Sequence, residues 1–253
     1  MKPIIKYILL SGLRDKVYLS IFLALIAVFG VAIFLGNTTL VEQKQTAIVY
    51  IAGAARIVII FGMILFVCLN ISRAFENKEV EFIISKPVSR EKFVLAYLTG
   101  FFITSLLILI ALFIAFSALV KLNEIGTLIW FLSLFCELLI VISFALMCSL
   151  ILKNSFLSIL SAMAFYIVSR LMGLFVMAID FPSEFAQIKN GALPYILKFL
   201  SVIFPRLDLF TQSSWLVYGI SDFSAIWVIF LQSLIYIPLM ACMAFCDVRR
   251  KDF

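Results

Sequence analysis

Residues Thr127 to Ile151 read TLIWFLSLFCELLIVISFALMCSLI, an apolar run broken by one charge, Glu137. A bilayer core takes about 20 mostly apolar residues per helix, so the run is long enough to cross. Five more runs of this kind flank it. They are Val17 to Gly36, Ala47 to Ile71 with Arg56 inside, Phe93 to Val120, Phe156 to Ile179 with Arg170 inside, and Phe223 to Cys246. Pro238 is expected to kink the last one. The fold class is therefore all-α, a polytopic membrane protein with six transmembrane helices. The first run is too long for a signal-peptide core and no small-residue cleavage site follows it, so it is expected to be retained.

Composition agrees. Of 253 residues, 65% are hydrophobic and 13% charged, and mean hydropathy is +1.20. A soluble domain has about 45–50% apolar and about 25% charged residues. These values exclude a soluble enzyme, a disordered chain and a nucleic-acid binder. The net charge of +6 sits in short clusters between apolar runs, which is a topology signal. The chain has no histidine, so His-based triads, metal sites and proton relays are excluded. Cys68, Cys136, Cys148, Cys242 and Cys246 all lie in apolar runs, and their odd number argues against a disulfide framework. Cys242 and Cys246 share a helix face, but two thiols without further ligands are read as packing rather than as a metal site.

Lysine and arginine set the direction. With the amino terminus inside, the cytoplasmic segments hold thirteen and the outer segments five, while Arg56 and Arg170 are intramembrane. This asymmetry places both termini in the cytoplasm. Residues 1–16 mix Ile4, Ile5, Ile8, Leu9 and Leu10 with Lys2 and Lys6 and read as an interfacial helix. Residues 180–222 form a long outer segment with two short apolar pieces, Tyr195 to Phe204 and Ser214 to Ile220. Neither piece can span, so they lie as short helices in the outer interface or re-enter partway.

The longest cytoplasmic loop reads SRAFENKEVEFIISKPVSREKFVLAY, Ser72 to Tyr97. Phe75, Val80, Ile83 and Ile84 form an apolar stripe, and Glu76, Lys78, Glu79 and Glu81 stay polar. Pro87 disfavours a helical Lys86, so a short charged helix should stop near Ser85. Ser89 suits the N-cap of the third span, with Glu91 in its first turn. A plain connector would be shorter and would not offer Phe82 or Ile83 to the cytoplasm. The element suits contact with a partner protein.

Glu81 to Phe93, EFIISKPVSREKF, resembles the pattern Glu, three apolar residues, Ser, any residue, Pro, apolar, Ser or Thr, Arg. That pattern marks permease subunits of ATP-binding-cassette (ABC) transporters of the type-2 exporter class. Leu13 to Leu25, LRDKVYLSIFLAL, resembles the start of their first span, and Phe204 to Phe210, FPRLDLF, resembles their Pro-x-Leu-Asp/Glu motif before the sixth. The resemblance covers nearly the whole chain. Where many members have Gly-Thr, this chain has Lys78-Glu79.

The resemblance implies one permease domain, 1–253, paired with a second permease copy or homologous permease and with ABC ATP-binding subunits. The loop between spans two and three would be the coupling helix docked on the ATPase. Glu79 and Glu81 would face basic groups of that subunit, Ile83 and Ile84 would fill its groove, and Pro87 would set the angle to the third span. Arg90 would pair with an acidic group or cap helix carbonyls. The chain has no GxxxxGK[ST] phosphate loop, so ATP and Mg belong to the partner, and this chain is not itself an enzyme. The implied location is the bacterial inner membrane, and the implied activity is export. Two other classes compete. A membrane enzyme, such as an intramembrane protease or lipid transferase, lacks an Asp pair in the spans and a nucleophile motif. A structural scaffold or ATP-independent channel would show no ATPase on co-purification.

Arg56, Glu137 and Arg170 cost about 2.5–3.5 kcal/mol each at a helix centre on insertion scales. At about 1.5 Å per residue they fall at one depth, about 14–15 Å below the outer ends of their spans. The plain role is that Glu137 pairs with one Arg and holds helices together. The functional role is that the remaining positive charge meets an anionic group on a substrate. The resemblance adds that spans two and five, which carry the arginines, line the pathway.

The charge asymmetry makes a topology prediction. A cysteine placed at Asn190 is labelled by a membrane-impermeant maleimide added outside, and one placed at Lys78 is not. The reverse pattern overturns the orientation.

Overall fold

Backbone amides removed from water must find partners within their own segment, and each apolar run is accordingly one continuous helix. The computed structural model describes residues 2–38, 43–77, 90–119, 124–152, 154–180, 199, 203–220 and 224–250. Among them are eight α-helices and no strand. They are α1 (Lys2–Arg14), α2 (Val17–Thr38), α3 (Gln43–Glu76), α4 (Arg90–Leu119), α5 (Glu124–Leu152), α6 (Ser155–Asp180), α7 (Ser214–Tyr218) and α8 (Ser224–Arg250). A 3-10 turn spans Leu207–Leu209. Helices α2 to α6 and α8 are long and apolar enough to cross a membrane, so the chain is a multi-pass membrane protein.

The helices run past the ends of the apolar runs. The polar residues Ser72 to Glu76 continue α3 rather than starting a new element, and α4 begins at Arg90 with Glu91 in its first turn. Glu79, Glu81, Ile83, Ile84, Pro87 and Ser89, and the side chain of Arg90, lie outside the described residues. Pro238 sits inside α8.

Helix α5 is the centre. It packs against α3, α4, α6, α7 and α8, and it is the most buried of the long helices. Rings lock its first turns to the end of α4, with Trp130 stacked on Phe116 at 6.0 Å. Helix α1 lies on α4 and buries Ile8 completely. Two ion pairs gather helix ends on one side of the bundle. Asp15, just before α2, meets Arg73 near the end of α3 at 2.7 Å, and Glu91 of α4 meets Arg249 of α8. Both pairs are partly exposed, and such pairs contribute about 0–1 kcal/mol.

At the opposite end residues 203–220, between α6 and α8, fold back into the bundle. Phe204 packs on Phe165 of α6 at 5.9 Å, and Phe165 stacks on Phe144 of α5 at 3.8 Å. From there the segment climbs. Leu207, Phe210 and Thr211 are buried, and α7 rises beside the first turns of α5. Of the short outer helices read from the sequence, α7 is the one described. The piece Tyr195 to Phe204 falls mostly outside the described residues.

The climb needs a glycine. A Cβ on Gly126 would lie 2.0 Å from the Trp215 carbonyl oxygen, so any side chain there pushes α7 off α5. Gly53 of α3 has open space instead. Gly126→Ala is expected to cost about 1–3 kcal/mol through overpacking. Gly53→Ala is expected to be neutral or to gain about 0.5–1 kcal/mol from reduced backbone entropy. Thermal unfolding in detergent checks the contrast, and equal midpoints for the two variants contradict the close packing.

Candidate functional site

Three helices and the returning segment converge on one carboxylate. Glu137 lies 13 residues into α5, about 20 Å along its axis, and has no exposed surface. A bare charge there is untenable without partners. Its Oε2 accepts a hydrogen bond from Thr211 Oγ1 at 2.7 Å, and its Oε1 is 3.7 Å from Arg170 Nη1 of α6. Tyr166, one turn before Arg170, brings its phenol beside Glu137 and Arg56.

Thr211 is the hub. Its backbone N–H donates to Ser133 Oγ at 2.9 Å, one turn from Glu137 on α5. Its carbonyl and hydroxyl oxygens both accept from Arg56 Nη1 of α3, at 3.2 and 3.1 Å. Its backbone has φ 46°, a left-handed conformation that costs a β-branched residue about 1–3 kcal/mol. Arg170 Nη1 donates to the carbonyls of Leu207 and, at 3.0 Å, of Phe210. The Leu207 carbonyl also closes the 3-10 turn by accepting from the Phe210 N–H at 3.1 Å. Next to it, Arg206 and Asp208 pair at 3.0 Å, and Asp208 packs over Gly173 of α6, where a Cβ would fall 2.5 Å from its Oδ2.

The structure thus brings Arg56, Glu137 and Arg170 into one cluster. Glu137 forms its ion pair with Arg170, while Arg56 is tied to the same carboxylate through Thr211. Both guanidinium groups also bind backbone carbonyls. Thr211, Ser133, Tyr166 and those carbonyls are the members that sequence reading missed. The available signal was position, because Thr211 directly follows the FPRLDLF motif. Among the described residues there is no group of three or more His, Cys, Asp or Glu able to hold a metal ion. Cys242 and Cys246 are exposed thiols. The chemistry on offer is electrostatic, namely fixed donors at mid-depth. No family model matches the chain, and no curated protein matches it.

Removing one partner of a buried pair strands the other, at a cost of about 3–5 kcal/mol. Arg170→Met should therefore sharply lower the yield of monodisperse protein in detergent. Adding Glu137→Gln should restore part of it, because the stranded charge is gone. A wild-type yield from Arg170→Met alone would mean that the pair holds nothing.

Proposed function

We propose that the chain is the membrane-spanning permease subunit of an ABC transporter of the exporter class. It would work in a bacterial inner membrane with both termini in the cytoplasm. Two such subunits, identical or homologous, join two ATP-binding subunits that supply ATP and Mg. The observation that carries this reading is the Glu81 to Arg90 sequence and its place between α3 and α4.

That place suits force transfer. Helix α3 is continuous from Glu76 back to Arg56, about 30 Å, so displacement at one end reaches the buried cluster without a hinge in between. Helix α4 starts at Arg90, and its Glu91 is braced by Arg249 of α8. ATP-driven closure of the partner dimer would push the loop, and the two helices would carry the motion into the bundle. In this reading Glu79 and Glu81 would face the partner's basic groups, Ile83 and Ile84 would fill its groove, Pro87 would set the angle to the third span, Ser89 would suit its N-cap, and Arg90 would pair with an acidic group or cap helix carbonyls.

The test is co-purification in mild detergent from the native membrane. A tagged chain should bring down a subunit that hydrolyses ATP. The triple variant Glu81→Lys, Pro87→Leu, Arg90→Glu should insert normally yet lose stimulated ATP hydrolysis and transport together. Purification without any ATPase favours the scaffold or channel reading. Full activity in the triple variant reduces the loop to a connector.

A further inference from the structure

We infer that Arg56 and Arg170 form a binding site for a phosphate-bearing anion between α3 and α6, with the returning segment as its floor. Charge is the first argument. Arg56 and Arg170 share one carboxylate, Glu137, and the neighbouring Arg206 and Asp208 cancel, so among the described residues the cluster keeps one positive charge. Donor count is the second. A guanidinium has five N–H donors and no acceptor. Arg170 directs only Nη1 at acceptors among the described residues, and its side chain keeps 24% of its surface exposed. Arg56 uses Nη1 on Thr211 and has the Tyr166 phenol within hydrogen-bond reach, and its buried Nε has no partner.

Placement is the third argument. Adjacent carbonyls, Phe210 for Arg170 and Thr211 for Arg56, hold the two groups side by side. A Cβ on Gly53, one turn from Arg56 on α3, would meet nothing within 4 Å. Hydrocarbon at this depth supplies no acceptor. An anion with several oxygens supplies both the missing charge and the missing acceptors, and planar guanidinium groups bind phosphate through paired N–H bonds. Binding requires only these residues. That the bound anion is cargo rests on the transporter proposal.

The experiment needs no ATPase, so failure of coupling leaves it unaffected. The purified chain in neutral detergent is titrated with short-chain phosphatidylglycerol, short-chain phosphatidylcholine and inorganic phosphate. Saturable binding of phosphatidylglycerol over phosphatidylcholine is the expected result for a lipid headgroup. Saturable binding of inorganic phosphate identifies a free solute instead and equally supports the site. Arg56→Gln should raise Kd about tenfold or more, the worth of one charge-assisted contact. Arg56→Lys keeps the charge but loses the fork, so it should fall between, and it serves as the readout if the glutamine variant misfolds. Arg14→Gln, exposed and remote, should change nothing. The inference is overturned if neither phosphatidylglycerol nor phosphate binds, or if the Arg56 variants bind as tightly as wild type.

Discussion

A carboxylate with no exposed surface sits in the most buried helix of the bundle, and the architecture around it follows from satisfying it. Glu137 on α5 needs a cation and a donor within reach. Arg170 on α6 and Thr211 supply them. Yet Thr211 belongs to irregular backbone, which has its own problem. Non-helical carbonyls at membrane depth are tolerated only when protein buries them or when they line a water-filled cavity. Leu207, Phe210 and Thr211 each present such a carbonyl, and Arg56 and Arg170 supply the donors. The arginines thus solve two problems at once. Without the returning segment they would be over-supplied with donors, and without them the segment could not enter.

This mutual dependence explains how strain at Thr211 is held. Its left-handed backbone opposes folding, but its N–H, carbonyl and hydroxyl are bonded to two helices. A conformation fixed from several directions persists where one contact would not suffice. The polar cluster also gives specificity that apolar packing lacks. Greasy helices slide against one another at little cost, whereas a carboxylate that must meet one threonine fixes the register of α5 against α3 and α6.

The six spans were legible because length and hydropathy alone decide them, and one side-chain count put Arg56, Glu137 and Arg170 at one depth. The pairing of Glu137 with Arg170 rather than Arg56 was not legible, since depth says nothing of rotation about each helix axis. Thr211 and Ser133 were missed for a related reason. Neutral hydroxyls in apolar surroundings leave no compositional trace, and backbone acceptors leave none at all. Helix α3 extends beyond its apolar run because the run ends where side chains become polar, while a helix ends only where backbone bonding fails. Ser72 to Glu76 have no reason to stop one.

Burial is unequal among the long helices, and the inequality bears on assembly. Helices α2, α6 and α8 are far less buried than α3 and α5. For α2 and α8 the exposed residues through the apolar middle are mainly Leu, Ile, Phe, Val and Trp, a surface that lipid chains accept. Helix α6 differs, because Arg170 is part of its open face. Lipid against a guanidinium there would cost about 2.5–3.5 kcal/mol on insertion scales. The apolar residues Ile167, Leu171 and Leu174 around it would suit either lipid or protein, so the arginine decides. A surface of this kind is stable when another protein or a water-filled, anion-accepting space covers it. The paired permeases of the proposed transporter would provide such a covering at the place where the returning segment fixes both arginines.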